Sequence, residues 1–390
     1  MRDYFNSTAP VRFVYPIDGD CMNIYDGVIK DGYLTITVKV AAPADAELYI
    51  DEQKADFDGT YFTKEVPLKT YRTTITAEDR KNGTETAIAV YKLEDCVGKY
   101  RISMDDNILF LADLTQNQDV YTSLFDNPYL NVYKKAHDLY GAKIHINIYY
   151  EHKDEQEDRD AFSGEHPYFN LTMMTDKYKE EWKANSDWLK LSFHARSNFP
   201  DAPYKHTTME RIDRDIELVH KEIIRFAGPD SLPPVTTLHW GASNEAGTKV
   251  LRNRGYKGLN GYFTLDAKGE TLVSYHYPKE LVKHVDTRDF WVDNVENIVC
   301  SKVDAVLNCY KLEEIEPLME EIYSDKHKAG FVELLIHEQY FYPDYCNYIP
   351  EYEQIVLTAA KWLAEHGYQG ALLSEVMFEK FRSDDLPQEI

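Results

Sequence analysis

The chain changes its hydrophobic period once, near Lys99, and that change constrains the fold more than any other feature of its 390 residues. Before it, Leu34, Ile36, Val38 and Val40 alternate with Thr35, Thr37 and Lys39, which puts the apolar set on one face of a strand. Asp58-Gly59 and Asn82-Gly83 supply tight turns between such runs. Several short strands in so small a span predict an immunoglobulin-like β-sandwich over residues 1–96, serving as a packing unit or as a carbohydrate-binding accessory module. After Lys99 strand-like and helix-like segments alternate to the end of the chain, the signature of parallel strands with helical crossovers. Strands are expected at residues 100–103, 143–149, 188–193, 236–238, 258–262, 298–304, 331–336 and 370–373. The fold class is therefore α/β, with residues 97–390 forming a (β/α) barrel of seven or eight strands of TIM-barrel type. Helix ends support the division: Asn127 and Pro128 open one helix and Gly141 closes it, and Thr207 with Glu210 reads as a capping box ahead of Ile212, Ile216, Val219 and Ile223.

In such a barrel, chemistry gathers on the loops that follow the C-terminal ends of the strands. Those positions hold Asp105-Asp106, His194, His239-Trp240, Asp304, His337-Glu338 and Glu375. Single acids there often only cap the next helix, but three histidines directly after apolar segments can bind a divalent cation as neutral imidazoles. One carboxylate and two imidazoles leave coordination positions open for water and substrate, and a second carboxylate beside them can accept a proton. The other histidines, His145 among them, are expected to be surface or structural.

The segment Arg101-Ile-Ser-Met-Asp105-Asp106 resembles the first motif of the polysaccharide deacetylases (carbohydrate esterase family four), Leu191-Ser-Phe-His194 looks like the second, and Leu334-Leu-Ile-His337 like the last. The resemblance covers about residues 98 to 375 in the family's motif order. It implies a deacetylase-type barrel with Asp105 as catalytic base, Asp106 as metal ligand and His337 as general acid. The cofactor it implies is a divalent metal, zinc or another transition ion. Three positions depart from the family pattern. No histidine lies between Ala195 and Asn198, where the second metal histidine is usual, so His239 or His206 is expected to complete the ligand set with Asp106 and His194. Asn107 stands in place of Gly, and His239-Trp240-Gly241 in place of an Arg-Pro segment.

The run Glu338-Gln-Tyr340-Phe341-Tyr342-Pro-Asp344-Tyr345 brings aromatic faces close to His337, and such faces suit the CH surface of a sugar ring. Trp240, Glu338, Tyr340 and Tyr342 are the expected substrate-binding residues, and the substrate a small or oligomeric carbohydrate. Composition narrows the alternatives. Lys+Arg 43 against Asp+Glu 67 gives a net charge of −24, which disfavours nucleic acid. Hydrophobic residues at 43% exclude a disordered chain, and no apolar run reaches the roughly 18 residues of a membrane span. Five cysteines form no CxxC pair, so reduced thiols and a cytoplasmic protein, or a secreted one without its leader, are expected. The leading expectation is a metal-dependent hydrolase removing N- or O-acetyl groups from a carbohydrate. The alternatives are a retaining glycosidase using Glu338 and Glu245, and a non-catalytic glycan-binding protein.

Overall fold

The computed structural model describes residues 2–153 and 156–378. Residues before Lys99 form two five-stranded sheets. In the first, Tyr33–Ala41 lies between Arg12–Tyr15 and Phe62–Leu68, all antiparallel; in the second, Thr84–Lys92 pairs Arg72–Asp79 antiparallel and Cys21–Met22 in parallel. The alternation in Tyr33–Ala41 has the expected effect: Leu34, Ile36, Val38 and Val40 are buried and meet Ile75, Ala77, Ile88 and Val90 from the other sheet in one apolar cluster.

In the two larger sheets that follow, the strands are parallel with one exception; two short antiparallel pairs, Glu151–His152 with Phe169–Asn170 and Thr264–Leu265 with Thr271–Leu272, lie outside them. A six-stranded sheet runs in the order β3 (Leu189–Ala195), β2 (Ile144–Tyr149), β1 (Lys99–Asn107), β9 (Phe331–His337), β8 (Ala305–Val306), with β10 (Gln369–Gly370) on the start of β1. A four-stranded sheet holds β4 (Val235–Thr236), β5 (Gly258–Gly261), β7 (Ile298–Lys302) and the antiparallel β6 (Phe290–Asp293). Each of the eight expected segments overlaps one of these strands. The hydrogen-bond ladder, however, forms two sheets and not one ring. Between β3 and β4, Ser192 Oγ donates to the Val235 carbonyl (2.9 Å) and Thr236 Oγ1 to that of Phe193. On the other side the segment joining β7 to β8 bonds to both sheets, Val303 N donating to the Gly261 carbonyl (2.8 Å) and Asp304 N to that of Glu333 (2.9 Å), and Asn260 Nδ2 donates to Glu333 Oε1 (3.1 Å).

Helices cover the sheets through one large core to which α1 (Leu109–Gln116), α2 (Pro128–Tyr140), α3 (Met209–Phe226), α4 (Glu245–Asn253), α5 (Ile315–Ser324) and α6 (Tyr352–Glu365) all contribute. The helix starts fall close to the expected positions: Thr208, not Thr207, caps α3 by accepting from Arg211 N, so the expected box with Glu210 does not form, and Asn244 caps α4. In α2 the buried Asn127 accepts from Leu130 N (2.9 Å) and donates to Asp113 Oδ2 (2.7 Å), and Gly141 closes the helix at φ 68°. Asn127→Ala is expected to cost about 1 to 2 kcal/mol, the upper range for an N-cap, as measured by urea denaturation.

The N-terminal sheets join the parallel part through Gly19. Its φ is 89° and a Cβ there would lie 1.9 Å from the Val292 carbonyl oxygen, so only glycine permits the bond from Val292 N to the Gly19 carbonyl (2.8 Å). Among the described residues no helix is long and apolar enough to cross a membrane.

Candidate active site

Successive residues of a strand point to opposite faces, so a pair of adjacent acids on β1 should not share a site. Here they do, because Asp106 adopts φ 64° at a register shift between Met104 and Asn107. Left-handed backbone is tolerable for Asp and unfavourable for most residues. The turn brings both carboxyls to a cavity of about 460 Å³ at the C-terminal ends of the strands.

Asp106, His194 and His239 converge there, each offering one ligand atom. Asp106 Oδ1 is 3.0 Å from His194 Nε2 and 3.1 Å from His239 Nδ1, and the two ring nitrogens are 3.2 Å apart. The chemistry of this set calls for a cation. His194 Nδ1 is held on the Thr237 carbonyl, which can only accept, so the ring proton is on Nδ1 and the Nε2 lone pair faces a carboxylate oxygen. Two acceptors at 3.0 Å repel unless a positive centre lies between them. Burial lowers the His194 pKa, the two effects of Asp106 notwithstanding, so an extra proton is disfavoured and a metal ion suits the gap. A mixed carboxylate and imidazole set fits zinc and its first-row neighbours. For Asp106, burial opposes ionisation, but His239 and His194, with His337 beyond, hold it well below the usual carboxylate range. Its second oxygen accepts from Gln339 Nε2 (2.9 Å). Tyr149 closes the group, its hydroxyl in hydrogen-bond contact with Asp106 Oδ1, with His239 Nδ1 (2.9 Å) and with Asn198 Oδ1 (3.1 Å).

Asp105 and His337 are paired in register on β1 and β9 and both line the cavity. Burial, then the charge of Asp106, raises the Asp105 pKa well above the carboxylate range, against the hydrogen bond from Asn147 Nδ2 (2.7 Å). His337 Nδ1 is held by Asn308 Oδ1 (2.9 Å), which leaves Nε2 for the cavity. Burial lowers its pKa and Asp106 works in the opposite direction.

Of the other expected residues, Trp240 and Tyr340 line the cavity. Trp240 is 51% exposed, and its backbone is left-handed at φ 61°, a strained state for a large side chain. Glu338 and Tyr342, expected to bind substrate, do not line it. The Glu338 carboxylate is fully buried and accepts from Ile108 N (2.6 Å), Leu109 N (2.9 Å), Phe110 N (2.6 Å) and the Tyr342 hydroxyl (2.8 Å), so it caps α1 and has no lone pair to spare. Phe341 packs on Tyr129 and Tyr352 in the core, whereas Tyr345 joins Tyr340 at the cavity. His206 is exposed and outside the cluster, which leaves His239 as the third nitrogen donor. Asp304 and Glu375 are also spent elsewhere, on Glu333 N (2.8 Å) and on Leu372 N (2.7 Å). Glu245 lies in the first turn of α4. With Glu338 committed to a helix cap, the carboxylate pair of a retaining glycosidase does not form. The residues that sequence reasoning missed are Asn147, Tyr149, Asn198, Thr237, Asn308 and Gln339.

No family model matches the chain, and no curated protein matches it. Solved structures similar to it include the following two. One is a CE4 esterase of Streptococcus mutans, 12% identical over 71% of this chain and 86% of that one, with a TM-score of 0.37. The other is a "putative polysaccharide deacetylase" from Mycobacterium smegmatis, 11% identical over 75% of this chain and 94% of that one, with a TM-score of 0.40.

Proposed function

We propose that the chain is a metal-dependent hydrolase that removes N- or O-linked acetyl groups from a carbohydrate. The observation that carries this reading is one cavity holding an Asp106, His194 and His239 ligand set with Asp105 and His337 in register beside it. A divalent ion on that set supplies Lewis acidity toward an acyl carbonyl and lowers the pKa of a water. Asp105, with Oδ1 engaged by Asn147, takes the water's proton on its other oxygen, and its burial beside the Asp106 charge strengthens its hold on that proton. His337 keeps one proton on Nδ1, fixed on Asn308 Oδ1, and in its doubly protonated form gives the second, from Nε2, to the departing nitrogen or oxygen and returns to the neutral ring. The same reading takes the two parallel sheets as an opened (β/α) barrel of deacetylase type and residues 1–96 as an immunoglobulin-like sandwich beside it.

The test is acetate release from N-acetylglucosamine oligomers and from an aryl acetate. Chelator treatment should suppress it and added zinc, cobalt or manganese should restore it. Full activity in a protein that elemental analysis finds free of divalent metal would overturn the proposal. Trp240 and Tyr340 provide the sugar-stacking faces. Trp240→Gly removes the ring and relieves the left-handed strain, so the variant should fold as well as the parent and raise KM for the oligomers up to about tenfold, with the aryl acetate unaffected.

A further inference from the structure

Asp105 stands at the end of a line of buried polar groups that begins with Arg101 and Glu333, two layers below it on neighbouring strands. Arg101 is 1% exposed and Glu333 0%. Their pairing is bidentate, Nε to Oε2 at 2.9 Å and Nη2 to Oε1 at 2.8 Å. Arg101 Nη1 then meets His145 Nδ1 (3.0 Å), His145 Nε2 meets Asn147 Oδ1 (3.0 Å), and Asn147 Nδ2 meets Asp105 Oδ1 (2.7 Å).

Only one direction of donation is available along this line. A guanidinium has no acceptor, so Nδ1 of His145 accepts and its proton is on Nε2. Burial, then Arg101, holds the His145 pKa well below its ordinary value, so the ring is neutral and the tautomer single. The Nε2 proton goes to Asn147 Oδ1, which fixes the amide and aims its NH₂ at Asp105. The same Oδ1 accepts from Thr237 N (3.2 Å), and the Thr237 carbonyl is the group that holds His194 Nδ1. Asn147 thus touches the supports of the base and of a metal ligand at once.

Such a line is poorly explained by stability, because a buried ion pair replaced by apolar residues of similar volume often leaves a protein as stable or more so. We propose that Arg101, His145 and Asn147 are positioning residues, a one-way hydrogen-bond relay that fixes which oxygen of Asp105 faces the substrate. The inference rests on Asp105 acting as base in the reading above.

The experiment compares His145→Asn with His145→Gln in the metal-loaded protein. The shorter amide keeps an acceptor for Arg101 but does not reach Asn147; the longer one can accept from Arg101 and donate to Asn147 Oδ1 together. His145→Asn is expected to lose about 10- to 100-fold in kcat for acetate release from the aryl acetate, the usual cost of disturbing a group that orients the reacting shell. KM, bound metal and thermal midpoint should stay at parent values, and His145→Gln should recover most of kcat. Parent kcat in His145→Asn, or an equal loss in His145→Gln, overturns the relay while leaving the hydrolase reading in place. Parent activity in Asp105→Asn overturns the assignment of the base itself. Should His145→Asn fail to fold, Asn147→Ser, which shortens the last donor, is read against the same expectations.

Discussion

Asp105→Asn and Asp106→Asn are expected to inactivate the protein in two distinguishable ways. Asp105 Oδ1 already accepts an amide hydrogen bond and Asp105 is outside the Asp106, His194 and His239 cluster, so its amide variant should keep stoichiometric divalent metal. Loss of a general base costs about 10²- to 10⁴-fold in kcat. Asp106 is the only carboxylate in the ligand set and draws together two imidazoles whose nearest approach is to its Oδ1. Replacing it should remove the metal, and with it several kcal/mol of transition-state stabilisation, about 10³-fold or more in rate at 1.36 kcal/mol per factor of ten. Elemental analysis beside acetate release separates the two. Retained metal and retained turnover in Asp106→Asn would remove the site from consideration.

The sequence positions of Asp105, His194, His239 and His337 were enough to bring them together, because residues at the ends of consecutive parallel strands share one end of the fold whatever the loops do. Glu338 shows the limit of that argument. If His337 faces inward, period two turns Glu338 away, and it meets the N-terminus of α1. The same rule would also turn Asp106 away from Asp105, yet a left-handed residue returns it to the site, and no pattern in the sequence announces that turn. The relay went unread, although the strands carry a pattern that marks a polar interior. Parallel strands covered on both faces usually read as continuous apolar runs. Ile144-His-Ile-Asn-Ile-Tyr149 alternates instead, as do Arg101-Ile-Ser-Met-Asp105 and Leu189-Lys-Leu-Ser-Phe-His194, and three alternating strands side by side require a polar interior. His145, Asn147 and Tyr149 share one face of that strand, although His145 was expected only as a surface or structural histidine and the other two were not singled out. The gap between β3 and β4, where Ser192 and Thr236 bond main-chain carbonyls across two sheets, left no such pattern.

Removing Glu333 alone should be the most destabilising single change in the parallel part. Glu333→Leu leaves the Arg101 guanidinium at 1% exposure with a neutral imidazole as its remaining side-chain partner, and an uncompensated buried charge costs about 3 to 5 kcal/mol. Urea denaturation should show that loss as a lower midpoint with an unchanged slope. The double variant Arg101→Met with Glu333→Leu removes both charges, and most of the stability should return. Its activity should not return. Without the guanidinium, His145 is no longer forced to carry its proton on Nε2, so the amide of Asn147 loses the donor that orients it toward Asp105. Stability restored with kcat still depressed would separate the two roles of the pair, whereas a double variant as active as the parent would mean that Asn147 and Thr237 alone suffice to hold the base.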